Sequence, residues 1–427
     1  MKIKISNGRL IDPANDIDKK GTLCIAGDVI VFTGSRSPSD FTPDIEIDAA
    51  GQWVCPGIID LGARFREPGL EHKATIASES AAAASGGVTA VCYPPDTDPV
   101  LDTPAVVELI HQRTEKCNKT RIYPIAALTH ALGGEFLAEI HALKEAGCLA
   151  VSNANRPIAS TEVWRRAMEY SASVDIPIFI HPEDPFLRNS GVVHEGALST
   201  RLGLPPIPNT AETLAVSQAL LLIEQTGVRA HFCRLSCSRS IELIAQAKRE
   251  GLPVTADVSV CHLFLTEMDV DGYNTDCHLI PPLRGLTDKQ ALTQGLVDGI
   301  IDAVCSDHQP HDDDAKAAPF SLTEPGASSL ELLLPLMLDL THKKILSPTQ
   351  VINCLSANPA RILGLESGSL SKGSPADIIL IDTNKSWTVN RENLLSAGKN
   401  TPFDGWELQG KVSHTLLAGE IVFQQGN

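Results

Sequence analysis

The sequence holds no apolar run approaching the roughly 18 residues that cross a bilayer, so no membrane-spanning helix is expected. It has no Cys-x-x-Cys pair, which excludes the common zinc-binding cysteine patterns. It lacks an excess of positive charge. Lys plus Arg number 35 against 52 Asp plus Glu, a net charge of −17, which argues against nucleic acid as the main partner. Internal repeats and low-complexity tracts are absent too, the nearest being Asp-Asp-Asp-Ala-Lys at 312–316. The opening "MKIKISNGRLIDPAND" alternates polar and apolar residues, a strand pattern and not that of a leader. A cytoplasmic chain is therefore expected. Eleven cysteines are present, an odd number at irregular spacing and mostly in apolar contexts. Buried free thiols in a reducing compartment follow from that.

The 427 residues, 43% of them hydrophobic, suffice for a large core and a second, smaller unit. Residues 1–54 read as short strands separated by turns. From 55 to 359 the character changes. Apolar bursts such as "GVTAVCYP", "IPIFIHPED" and "IDAVCSDHQPH" alternate with helical stretches such as "TPAVVELIHQRTEK", "GGEFLAEIHALKEAG" and "SRSIELIAQAKREG". About eight such alternations predict an α/β fold, a (β/α)₈ TIM barrel. After 360 the turn-rich pattern returns, so residues 1–54 and 360–427 are expected to build one small composite β domain.

The informative polar residues stand where barrel strands end: Arg66 after the first, Asp96 and Asp98 after the second, Asn153 and Asn155 after the fourth. His181 and Glu183 follow the fifth, Arg234 the sixth, and Asp307, His308 and His311 the eighth. All are expected at the one mouth where such barrels carry their chemistry. The stretch "PGIIDLGARFREPG" is similar to the strand-one motif Asp-Leu-His-x-His-x-Arg-Glu-Pro-Gly of dihydroorotases, cyclic amidohydrolases of pyrimidine synthesis. "PPDTDPVLDTPAVV", "HPED", "PPLR", "SDHQPH", "SANPARILGL" and "TPFDGWELQGKV" also resemble family motifs, so the resemblance runs end to end.

The resemblance implies a pair of zinc ions that activate water and polarise the amide carbonyl. It puts the first two histidine ligands at Gly62 and Arg64, the bridging acid near Asn153, the next histidine at His181 and the one after it at Arg234. The final ligand and proton shuttle falls at Asp307. Two of six positions thus keep a ligand. Glycine offers no donor and asparagine no charge, and the two arginines stay protonated. A unit charge about 4 Å away is worth about 4 kcal/mol at an effective dielectric near 20, and about twice that against a divalent ion. No metal or other cofactor is expected, and Asp307 reads as a vestigial catalytic residue. Arg66 and His311 hold the positions that bind substrate in the family. Asp96 and Ile280 replace two family asparagines, which thins the substrate contacts.

Arg64 and Arg234 could bind an anion or could neutralise Asp307 and nearby acids. The second is the expectation, because a buried carboxylate without a partner is costly. His231 and His262 are expected as hydrogen-bonded core residues, Cys261 as packing, and Ser238 or Ser240 as a helix cap. Arg66-Glu67-Pro68-Gly69 reads equally as a substrate loop or a fold-forming turn. Two functions are carried forward. One is a non-catalytic, homo-oligomeric subunit that assembles with aspartate carbamoyltransferase, as dihydroorotase-like chains of the family do. The other is an active cyclic amidohydrolase with an atypical or single zinc.

Overall fold

The computed structural model describes residues 1–426. Eight short strands lie parallel in chain order: Ile58–Asp60, Val88–Tyr93, Arg121–Ala127, Ala150–Ser152, Ile178–Ile180, Ala230–Phe232, Val254–Ser259 and Ala303–Cys305. They are apolar and almost wholly buried, as strands covered on both faces must be. The first and last meet just beyond their ends. Ala63 bridges His308, and the Arg64 N–H donates to the His308 carbonyl at 2.8 Å. The sheet thereby approaches closure as a TIM barrel, and the chain ends of its strands converge on one mouth.

Helices cover the barrel, and their starts follow local chemistry. Thr75 and Ser78 form a capping box before helix Ile76–Ser85, and Ser160 caps helix Thr161–Ser173. Pro104 opens helix Pro104–Cys117 at a position where its missing N–H costs nothing. Two expectations are corrected here. The stretch "GGEFLAEIHALKEAG" is helical only over Ile140–Glu145. The chain before it is held as a turn, with His130 N–H bonded to the Phe136 carbonyl and Gly134 at φ +78 packed against Pro157.

The start of helix Ser238–Arg249 also departs from expectation. Neither Ser238 nor Ser240 caps it. The cap is long-range: Glu212 accepts from the N–H groups of Ser236 and Cys237, and Asp288 accepts from the Ser238 N–H at 2.8 Å. A sequence window cannot show a cap that comes from other helices. Asp288→Ala should cost about 1 kcal/mol, the usual value of a lost helix cap. The urea midpoint measures it, and an unchanged midpoint would refute the long-range cap.

The two chain ends build the second sheet. Trp53–Pro56 pairs in parallel with Lys2–Asp12 on one side and antiparallel with Ile378–Thr388 on the other. Ile17–Ala26 and Val29–Gly34 extend one flank, and Glu407–Leu417 and Glu420–Gln424 the other. The C-terminal segment also reaches the barrel mouth. There the Asn400 amide donates to the carbonyls of Gln309 and Gly326 and accepts the His311 N–H at 2.9 Å.

Candidate functional site

The loops after strands one, six and eight bring two arginines onto one carboxylate. Arg234 Nη1 donates to Asp307 Oδ1 at 2.6 Å, and its Nη2 to Asn155 Oδ1 at 2.7 Å. Arg64 donates from Nε to Asp96 Oδ2 at 2.8 Å and places Nη1 3.5 Å from the same Asp307 oxygen. Gln309 Nε2 adds a bond to that oxygen at 3.1 Å. Arg64 is 4% exposed, Arg234 7% and Asp307 6%. Burial works against the charged form of Arg234, but the Asp307 carboxylate outweighs it and the guanidinium pKa rises. Burial likewise opposes the Asp96 carboxylate, and Arg64 outweighs it, so Asp96 sits below the usual range.

Both Arg234 and Asp307 adopt left-handed backbone, φ +57 and +48, a conformation that costs a residue with a side chain. It aims the two side chains at each other. Asp257 on strand seven supports the turn, accepting the Arg234 N–H at 2.6 Å on one oxygen and His231 Nε2 at 2.9 Å on the other. His231 closes its second nitrogen on Thr255 at 2.8 Å. His262 places Nε2 3.1 Å from the Pro281 carbonyl, and Cys261 is packed in the core.

The residues at the substrate positions are bonded to the protein itself. Arg66 Nε donates to the Pro310 carbonyl at 2.9 Å, and its Nη2 lies 3.0 Å from His311 Nε2. That histidine nitrogen also faces the Pro325 carbonyl at 3.0 Å, and Nδ1 faces Lys73 Nζ at 3.3 Å. Burial and the Arg66 charge push the His311 pKa down to about 2, so the ring is neutral. The turn around Arg66 is built into the fold. Glu67 accepts the Ile76 N–H at 2.7 Å, Tyr93 donates to the Glu67 carbonyl, and a Cβ on Gly69 would lie 2.3 Å from the Asp98 carbonyl oxygen.

Not every strand-end residue turns to the mouth. Asn153 points sideways, accepting from Thr129 Oγ1 at 2.6 Å and donating to the Arg156 carbonyl; Asn155 is the neighbour that meets Arg234. His308 is fully buried against Glu79, with Nε2 2.7 Å from Oε2. Sequence reading missed Glu79 and Asn155's bond, because their partners lie far along the chain, and Gln309, whose turn towards Asp307 two residues before it depends on the local backbone. His181 does border the centre of the barrel. Both ring nitrogens are buried and neither makes a hydrogen bond of ordinary geometry among the described residues, although the Cys233 backbone lies close enough to favour the protonated ring. Burial first, then the charges of Arg234, Arg188 and Arg64, hold its pKa well below the ordinary value. His231, Cys233 and Asp257 bring three ligand-type atoms within 4.8 Å of one another.

Residues 51–240 match the model of the "Dihydro-orotase-like" family. A dihydroorotase-like protein of Pseudomonas aeruginosa is 44% identical over 424 residues, spanning 99% of this chain and 100% of its own. The chain belongs to the dihydroorotase-like family. A dihydroorotase of Anaeromyxobacter dehalogenans is 40% identical over 424 residues, 99% of this chain and 98% of its own. Among solved structures, the L-hydantoinase (dihydropyrimidinase) from Arthrobacter aurescens superposes with a TM-score of 0.89, covering 100% of this chain and 96% of that one at 24% identity. That likeness supports the barrel fold of this dihydroorotase-like chain.

Proposed function

We propose that this chain is a dihydroorotase homologue without a binuclear zinc centre, acting as a structural subunit with aspartate carbamoyltransferase. One observation carries the reading. At two positions where the resemblance puts histidine ligands, Arg64 and Arg234 stand instead, and both direct guanidinium nitrogens at Asp307. Zinc takes imidazole, thiolate or carboxylate donors. A carboxylate already held by one bonded guanidinium and approached by a second is a poor ligand, and Gly62 and Asn153 add none. The residues present do not fit the zinc pair, and no zinc-borne hydrolytic step follows from them. The bonds between Arg66 and the 310–311 segment also leave little of the family's substrate grip free.

Purified in added zinc, the chain should hold well under two equivalents and open no dihydroorotate ring. Near two equivalents, bound at His181 and Asp307 with turnover, would establish the alternative of an active amidohydrolase. Restoring one histidine alone, as in Arg64→His, should not bring activity back, since Gly62 and Arg234 would remain.

For the partner, the outer surface offers exposed apolar side chains beside the loop that follows the fifth strand. Leu214 and Leu221 are seven residues apart on helix Asn209–Thr226 and so share a side, 51% and 69% exposed. Phe186, 89% exposed, lies on the adjoining turn, which is tied to that helix by the Asp184 N–H to Ala211 carbonyl bond. Solvent-exposed apolar clusters of this kind mark protein interfaces. Co-expressed with the carbamoyltransferase of the same cell, the chain should co-elute with it on sizing. Leu214→Glu with Leu221→Glu should separate them. Independent elution with a fully active free transferase would end the subunit reading.

A further inference from the structure

The guanidiniums at the mouth are not fully used by their acids. Arg234 spends Nη1 and Nη2 on Asp307 and Asn155, and its Nε is buried with no partner. Arg64 spends Nε on Asp96, and its buried Nη1, 3.5 Å from Asp307 Oδ1, makes no hydrogen bond among the described residues. His181 leaves both ring nitrogens buried without a hydrogen bond of ordinary geometry among the described residues, the Cys233 backbone being its nearest polar neighbour of note. These three residues wall one cavity of about 40 Å³ inside the barrel, together with Gly62, Cys233 and Asp257. Neither Asp96 nor Asp307 borders it. The Asp257 oxygens are already engaged by the Arg234 N–H, Cys305 Sγ and His231.

We infer that this cavity is a binding site for a single small monovalent anion, a halide or a species of similar size, held by Arg64 Nη1, Arg234 Nε and His181. Arginine N–H groups only donate, and a buried donor left unmade costs about 1–3 kcal/mol, more when charged. Water would satisfy them only by also finding acceptors for its own two protons. An anion accepts from all three residues and donates nothing. The volume sets the size: a single water needs about 10–15 Å³ by this measure, so the cavity has room for a few waters' worth and no larger ligand. Cys233 adds only a weakly polar sulfur. His181 borders the cavity and offers it a ring N–H. The inference stands whether or not the chain turns over a substrate, because it concerns the space the arginines leave open after pairing.

The test uses the full chain. Crystals soaked in sodium bromide should show an anomalous peak within hydrogen-bond distance of Arg64 Nη1, Arg234 Nε and a His181 nitrogen. In solution, sodium chloride or bromide should raise the melting temperature saturably by a few degrees over sodium gluconate of equal ionic strength, since gluconate is too large to enter. Gly62→Val should abolish the halide effect. Gly62 borders the cavity, and a Cβ there meets only Cys305 Sγ, at 4.0 Å, so a side chain can start at this point. His181→Leu, which removes one donor at similar size, should raise the halide midpoint about tenfold, as the loss of one hydrogen bond to a charged group predicts. Ordered water alone in the soaked crystals would overturn the inference. So would identical melting in halide and gluconate, or a halide effect that survives in both variants.

Discussion

Arg234→Met should destabilise the protein by about 3–5 kcal/mol, the cost of stranding a buried charge. Asp307 would keep Gln309 and the more distant Arg64, neither of which replaces a 2.6 Å charge-assisted bond. Asn155 would lose its partner at the same time. Urea unfolding of the wild type and variant measures the difference. The pair itself need not be stabilising, since desolvating both ions consumes much of what their attraction returns. Arg234→Met combined with Asp307→Leu should therefore be more stable than Arg234→Met alone. A single-variant loss under about 1 kcal/mol, or a double variant less stable than the single, would show that Asp307 does not depend on this guanidinium.

How much of this was legible beforehand depends on the range of the interaction. The barrel and the composite sheet could be read because each strand and helix announces itself within about ten residues, through apolar bursts and turn residues. The strand-end residues could be placed because motifs fix where the strands stop, and a buried Asp307 needs a cation, for which Arg64 and Arg234 were the candidates. Orientation could not be read. Asn153 and Asn155 are two residues apart, yet only Asn155 reaches Arg234, and Thr129, in the loop after the preceding strand, decides that by taking up Asn153. The cap of helix Ser238–Arg249 comes from Glu212 and Asp288, each more than twenty residues away. His308 was expected at the mouth because it follows Asp307, and it turns into the wall because Glu79, on the first helix, is there to receive it.

That last pair should dominate the protein's response to acid. Glu79 and His308 are both fully buried. His308 Nδ1 lies 3.2 Å from the Ser329 N–H, which it accepts, so Nε2 carries the proton donated to Glu79 at 2.7 Å. The other Glu79 oxygen accepts from Ser78 Oγ at 2.8 Å and from the Ala397 N–H at 3.0 Å, tying the C-terminal segment to the barrel. Burial alone would push this carboxyl up. The His308 ring, through its hydrogen bond and its charge, and then the Ala397 N–H outweigh it and hold the pKa below its ordinary 4.5. A carboxyl whose pKa is depressed by folding contributes stability that is complete above its unfolded value and is lost as pH falls through the folded one. Glu79→Ala leaves His308 Nε2 and the Ala397 N–H without their acceptor, so it should cost about 3–5 kcal/mol at neutral pH. That cost should shrink as pH is lowered below about 4.5, because the wild type then loses the ionised form that the variant never had. Denaturant titrations of both proteins at a series of pH values from 7 to 3 measure the gap. A gap of the same size at every pH would mean that Glu79 is not held as a carboxylate, and that its link to His308 does not depend on charge.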